Sequence, residues 1–519
     1  MSKAISEQIL KSARIISLMT ILSRILGYLR DRCMSIYMGT GMEADAFTIA
    51  FLIPNVLRRL FAEGSMTAAF LPTFTGLMQN NGKEKSWNFA QIFYWNLATV
   101  IAITAAIGIL LSPLIINLIV PGYKNVEGKI ELTIFLNRLL FPFILLISIS
   151  ALEMAILNSL NIFGLPASTF MFFNLTIITC ALTLAKLFKH PSYAFAIGVL
   201  IGGIIMIVIQ IPILLRAGMK FNPKINFKDE YTIKVAKLMI PGIFAISIAQ
   251  INIYIGQYYA SHLAQGSVAS IYYADRIMEL TLGVYAIAIF TVILPMLSNF
   301  AANNNTKDFK ETLFTSFRLI IIVTIPASFG LIFLREPIVE ILFKQGKFDV
   351  ASTQLTSIAL LYFSIGLPGF ALTKIIISAF YSYKDTLTPA IIGSITIASN
   401  IIFINLFIKQ LKHGSIPLAS SISAYINFIC LLIIFSKKIG KLNITSLIPS
   451  LFKILFASAL MGVICFYFSN YYWYSLHLLY TKIIALIICI TALLLFYLII
   501  IYLIAHSEFL EFLEIFKKK

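Results

Sequence analysis

Ten stretches of 23 or more residues contain no Asp, Glu, Lys or Arg: 86–123, 154–185, 190–215, 238–274, 280–306, 350–373, 386–408, 414–436, 454–481 and 483–507. About 20 apolar residues of helix cross the hydrocarbon core of a bilayer, so each stretch is long enough to span one. Four further apolar segments, 10–37, 44–72, 131–153 and 312–342, have the length but carry charges inside them. The sequence therefore predicts an all-α polytopic membrane protein of about fourteen transmembrane helices. The runs are continuous and rich in Leu and Ile, whereas the strands of a membrane barrel alternate apolar and polar over about 10 residues. With 59% hydrophobic and 12% charged residues, the chain does not have water as its principal solvent.

A net charge of +18 raises the question of nucleic acid. The basic residues, however, cluster in short links between apolar runs, as the positive-inside rule requires, and no nucleic-acid partner is implied. With both termini inside, the inner links hold Lys83, Lys85, Arg216, Lys220, Lys224, Lys228, Lys234, Lys237, Lys307, Lys310, Lys437, Lys438 and Lys441. The outer links hold fewer, chiefly Lys124, Lys129, Arg335, Lys344, Lys347, Lys409 and Lys412. Lys3, Lys11 and Arg14 precede the first apolar segment, but Arg24 interrupts it and no small-residue cleavage site follows, so it reads as a retained first helix. Five scattered cysteines and five scattered histidines give neither a disulfide framework nor a metal site, and no Walker A pattern is present.

The chain repeats itself. Phe70-Leu71-Pro72 is followed by Asn80-Asn81, and Ile293-Leu294-Pro295 is followed at the same interval by Asn303-Asn304, an offset of 223 residues. Parallel duplication divides the chain into an N-terminal lobe over 1–218, a pseudo-symmetric C-terminal lobe over 230–440, each of six helices, and a terminal helix hairpin over 447–507. Transporters made from two repeats commonly bind substrate between them, which points to a central cavity.

An ionised side chain at mid-bilayer costs about 2.5–3.5 kcal/mol on insertion scales, so each needs a partner, water or a route to the surface. Arg24 and Asp31 stand seven residues apart on one face of the first segment, with Gly27 between them and Arg30 and Arg32 flanking. The second segment begins with Asp45 and later presents Arg58, Arg59 and Glu63. In the second half, Asp275, Arg276 and Glu279 partly neutralise one another at helical spacing. Arg138, Glu153 and Lys374 are weaker candidates, close enough to a segment end to reach water. Ion pairs that hold helices together would explain any one of these residues. Several arginines together favour a phosphate-bearing anion, since guanidinium stays charged when buried and its planar fork matches phosphate oxygens. The terminal hairpin has no acid and many aromatic residues, consistent with lipid-facing packing or with an apolar groove for a hydrocarbon tail.

The run Ser23-Arg24-Ile25-Leu26-Gly27-Tyr28-Leu29-Arg30-Asp31 resembles the MurJ (MviN) lipid II flippase family, as do Ala44-Asp45-Ala46-Phe47 and Ile53 to Gly64. The resemblance continues through Gln250-Ile251-Asn252, Tyr273-Ala274-Asp275-Arg276, Glu279, Phe343 to Phe348, and Ala379-Phe380-Tyr381 with Asp385, Thr388 and Pro389. It implies the multidrug/oligosaccharidyl-lipid/polysaccharide exporter fold and alternating access in a bacterial inner membrane. The implied cargo is lipid II, the undecaprenyl-diphosphate-linked disaccharide pentapeptide of peptidoglycan synthesis. Bulk membrane lipids and cell-wall synthesis proteins are the other implied partners. The resemblance implies required roles for Arg24, Arg30, Asp45, Arg58 and Arg276, with Glu279 in support; joined to the reading of the buried charges, this assigns Arg24, Arg30, Arg58 and Arg276 to substrate and Asp45, Asp31, Asp275, Glu279 and Glu63 to gating or support. No cofactor or metal is expected. Sodium-binding members carry an Asp in the seventh helix where Gly256 stands here, which leaves membrane potential or protons to drive transport. The alternatives from sequence are an exporter of another polyprenyl-linked oligosaccharide or of drugs, and an integral-membrane polyprenyl-diphosphate transferase. No DxxD-type acidic cluster that would hold a metal beside a diphosphate supports the last.

Overall fold

Within lipid every backbone N–H and C=O must be paired inside the protein, and a helix does this within a single segment. The computed structural model of the chain describes residues 3–58, 65–440, 447–506 and 509; side chains are described from residue 17 on, except 57, 58, 65, 67, 68, 241–249 and 284–292. These residues form helices, turns and irregular links, and no strand occurs among them. In chain order come α1 (Lys3–Met38), α2 (Met42–Arg58), α3 (Ser65–Asn80), α4 (Gly82–Ile119), α5 (Lys129–Leu140) and α6 (Phe143–Ser159). Next are α7 (Gly164–Leu184), α8 (Ser192–Val208), α9 (Ile211–Ala217), α10 (Glu230–Ser261), α11 (Ser267–Ala302) and α12 (Thr306–Phe333). The last six are α13 (Arg335–Phe343), α14 (Val350–Ser382), α15 (Leu387–Leu411), α16 (Ser415–Ile439), α17 (Leu447–Tyr467) and α18 (Leu479–Ile504). Nine stretches among the described residues are long and apolar enough to cross a membrane, and one of them, Leu387–Ile439, takes in both α15 and α16. The protein is a multi-pass α-helical membrane protein.

Charge-free runs mark lipid-compatible sequence, but they are not the helix limits. Glu153 lies inside α6, so the expected break between 131–153 and 154–185 is instead a turn after Ser159. The run 238–274 contains the end of α10 and the turn before α11, and Asp275, Arg276 and Glu279 stand well inside α11. Segment 44–72 is two helices, α2 and α3, and the residues joining them, Arg59 and Glu63 included, lie outside the described residues. The physical reason is common to these cases: an ionisable residue inside a helix does not end it when it is paired, as Arg276 is with Glu279, or buried, as Glu153 is, whereas a turn need not be charged.

Where helices begin beside water, side chains cap them. Asp229 accepts from Thr232 N at 2.9 Å to start α10, Asn305 from Asp308 N at 3.2 Å to start α12, and Asp349 from Ser352 N at 2.8 Å to start α14. Packing divides the chain into two compact units. The first holds residues 1–268 and 345–348, the second 269–344 and 349–519. In the first, α1 packs on α7, α2 on α5, α6 on α8, and α10 against α3 and α4. In the second, α14 packs on α12 and α16, and the hairpin α17–α18 joins through α12 and α13. The first unit runs past the polar connector 219–229 because α10 packs against the helices that precede the connector.

Candidate functional site

The first unit sorts its charges into matched and unmatched. On α1, Arg30 Nε and Nη2 donate to Asp31 Oδ1 at 3.0 and 2.7 Å, and Nη1 donates to Asn174 Oδ1 on α7 at 3.1 Å. Asn174 in turn donates to the Ser23 carbonyl at 3.2 Å. The sequence puts Asp31 on the Arg24 face with Arg30 beside it, and the structure pairs the carboxylate with Arg30. Adjacent residues meet because the long arginine folds back to a carboxylate that is nearly buried. Arg32 reaches Tyr28 Oη and Gln345 Oε1, each at 3.3 Å. Arg24 is half-buried, and among the described residues it has neither a hydrogen bond nor an ion pair.

The start of α2 carries two acids. Asp45, 1% exposed, accepts from Lys129 Nζ at 2.7 Å and from the Gly266 N–H at 2.8 Å, both at Oδ2. The Lys129 ammonium also sits 4.0 Å above the buried Tyr123 ring. One carboxylate thus ties α2 to α5 and to the turn after α10. Glycine is required at that turn: Gly266 has φ +89°, and a Cβ there would stand 2.4 Å from the Thr40 carbonyl oxygen. Gly39, at φ +56°, is pressed as closely against the Lys347 backbone, where a Cβ would come within 2.3 Å. Two residues before Asp45, Glu43 accepts from Ser192 Oγ and pairs with His190 Nδ1 at the link between α7 and α8.

Asp45 was legible in the sequence, but its partner was not: Lys129 reads there as one more charge in an outer link. The available signal was energetic, since a buried Asp needs a cation and Lys129 opens the next charged apolar segment. Glu153 also departs from expectation. It is fully buried and has no surface route, because α6 continues past it by almost two turns. Arg138 and Lys374 are exposed, as their places near segment ends suggest. Arg58 closes α2, but its side chain, like Glu63, lies outside the described residues.

In the second unit, Arg276 Nη1 donates to Glu279 Oε2 at 2.6 Å, and its guanidinium lies 4.9 Å from the centre of the Tyr272 ring. The i,i+3 pairing expected on α11 is present, with Asp275 half-buried beside it. An apolar cavity of about 510 Å³ opens elsewhere in this unit. Its walls are Phe317 and Ile325 of α12, Leu372 of α14, Phe428 of α16, and Leu451 and Leu455 of α17. Its two hydroxyls are turned away to backbone, Ser328 to the Ser364 carbonyl at 2.5 Å and Tyr425 to the Ile365 carbonyl at 2.8 Å. The lining is therefore hydrocarbon in effect. The hairpin that supplies α17 is pinned at its far turn by Glu340, which accepts from Trp473 Nε1 at 2.8 Å, Lys482 Nζ at 2.9 Å and Lys344 Nζ at 2.8 Å.

Multi-pass helices with charged residues inside them place the chain in the class of polytopic α-helical membrane proteins. A solved multidrug-resistance MATE family transporter of the MOP superfamily has the same fold, with a TM-score of 0.70 at 14% identity over 80% of this chain and 94% of that one. Residues 34–486 match the family model described as lipid II flippase MurJ. A probable lipid II flippase MurJ from Vibrio cholerae serotype O1 is 36% identical over 430 residues, 82% of each chain. The lipid II flippase MurJ of Burkholderia cenocepacia is 30% identical over 427 residues, 81% of this chain and 82% of the relative. A solved lipid II flippase MurJ in an inward closed conformation superposes with a TM-score of 0.77 at 28% identity, over 95% of this chain and 99% of that one. The chain belongs to the lipid II flippase MurJ family.

Proposed function

We propose that this protein flips lipid II from the inner to the outer leaflet of a bacterial cytoplasmic membrane, as a transporter rather than an enzyme, in peptidoglycan biosynthesis. It does so by alternating access, with fourteen crossings arranged as two six-helix lobes and a terminal hairpin, and with both termini in the cytoplasm. Arg24, Arg30, Arg58 and Arg276 hold the diphosphate. Asp45, Asp31, Asp275, Glu279 and Glu63 keep the arginines placed and shape the passage, and the cavity walled by α12, α14, α16 and α17 takes the polyprenyl tail. Proteins of cell-wall synthesis supply and consume the cargo. Membrane potential or protons drive the step, since moving one charge through 100 mV yields about 2.3 kcal/mol.

The observation that carries this reading is Arg24. Among the described residues, Arg30, Asp31, Glu43 and Asp45 on α1 and α2 are paired, and a permanently charged fork left unmatched inside an apolar helix is suited to an anion that arrives and leaves. Substituting Arg24 by Ala should abolish complementation of flippase-depleted cells, and labelled lipid II should accumulate on the inner leaflet while the variant still reaches the membrane. Full rescue by Arg24→Ala would overturn the assignment. Accumulation of a different polyprenyl-linked sugar after depletion would redirect it to that substrate.

A further inference from the structure

The described acids of α1 and α2 have basic partners: Asp31 has Arg30, Asp45 has Lys129 and Glu43 has His190. Glu153 on α6 has none. It is fully buried; Oε1 lies 3.4 Å from the Tyr94 hydroxyl, and Oε2 has no hydrogen-bond partner among the described residues. Its surroundings are apolar, with Leu152 and Ile156 on α6 and Phe93 beside Tyr94 on α4, all in one buried cluster.

The helices packed on α6 are α2, α3, α4, α7 and α8. From α4 come Tyr94 and, a helical stretch away in its first turn, Lys83, Glu84 and Lys85; α3 has no titratable residue; α7 has Cys180 and α8 has Tyr193. From α2 come Glu43 and Asp45, each already paired, and Arg58, whose side chain is outside the described residues. Tyr94 is the group in contact with Glu153. A carboxylate ion here would lack a counter-charge, and burying one costs several kcal/mol, whereas the uncharged acid needs only hydrogen bonds.

We propose that Glu153 is a proton-binding site that couples a pH gradient to transport. The inference rests on the transport reading above and names its driving ion. Sealed between α4 and α6, Glu153 carries its proton on a carboxyl oxygen. A conformation that wets it lets the proton pass to water, and the core can close again only after a proton returns. Release and uptake on opposite sides move one proton per cycle, with no other co-reactant.

The test uses purified full-length protein in proteoliposomes, following translocation of labelled lipid II with and without an imposed pH gradient at fixed membrane potential. One coupled proton and a gradient of one pH unit allow at most about tenfold stimulation. Wild type should be stimulated. Glu153→Gln, which mimics the uncharged acid, should bind lipid II as wild type does and transport under membrane potential, with stimulation by the gradient lost and the buried-carboxyl infrared band absent. Tyr94→Phe should keep stimulation but shift its pH midpoint, which guards against a Glu153→Gln protein that fails to fold. A wild type indifferent to the gradient, or a stimulated Glu153→Gln protein, overturns the inference. A wild type that moves no lipid II overturns the transport reading instead.

Discussion

Asp45 and Lys129 show how a single residue can be readable as important and unreadable as to why. The Asp at the head of an apolar helix announces itself because a charge there needs a reason. Its lysine lies 84 residues away, and only the packing of α2 against α5 brings the two together. Removing one partner of a pair this buried leaves the other ion unmatched, a loss of about 3–5 kcal/mol. Asp45→Asn and Lys129→Ala should therefore each lower thermal stability in detergent sharply. The double variant Asp45→Asn with Lys129→Met should recover part of the loss, because no charge remains stranded. Equal melting temperatures for Asp45→Asn and wild type would refute the pairing. Gly266 makes the same corner sensitive from the backbone side: Gly266→Ala must abandon φ +89° or push the Thr40 carbonyl aside. Its expected destabilisation, read from the same melts, is not relieved by changes at Lys129.

At the level of elements, apolar length identified the helices well and their ends poorly. Polar caps such as Asp229, Asn305 and Asp349 mark starts beside water, but Glu153 and Arg276 look like ends and are interior. Sequence spacing cannot tell a charge that meets solvent from one that meets a partner. The hairpin is a clear instance. Nothing in its aromatic-rich turn announces that Trp473 is fully buried against Glu340 of α13. Burial alone would raise the Glu340 carboxyl, but hydrogen bonds from Lys344, Lys482 and Trp473 outweigh it and hold the group below its ordinary 4.5. A depressed carboxyl stabilises the folded form fully above its unfolded value and loses that contribution as pH falls through its folded value. Acidification below 4.5 should thus release the hairpin turn. The chain has three tryptophans, so with Trp87 and Trp95 replaced by Phe, Trp473 emission should shift to the red on acidification. Glu340→Gln should show no such transition. An unchanged spectrum across that range would rule out the clamp.

The whole molecule has to handle a cargo with two incompatible ends, and the reading proposed above assigns the arginines to one and the apolar cavity to the other. Part of this was legible. The duplicated Pro and Asn landmarks fall in α3 and α11, each helix carrying the proline inside and closing beside the asparagines. Isolated arginines were visible as charges in need of a reason, and Arg24 keeps that need in the structure. The apolar cavity could only be suspected, because it is built from α12, α14, α16 and α17, whose lining residues in sequence look like any lipid-facing positions. A charge on that wall separates the two functions. Leu451→Asp should forfeit the tail's contact with roughly one buried side chain, about 1.5–3 kcal/mol, or roughly ten- to a hundredfold in affinity for the full-length polyprenyl substrate. A short-chain analogue with the same diphosphate and sugars lacks the tail proposed to fill the cavity, so Leu451→Asp should bind it as wild type does. Arg24→Ala should weaken both ligands alike, and its defect should shrink as salt is raised, because the lost contact is electrostatic. Parallel titrations of both lipids against both variants decide the matter. A Leu451→Asp protein that loses the short and long ligands equally would mean the cavity is not where the tail lies.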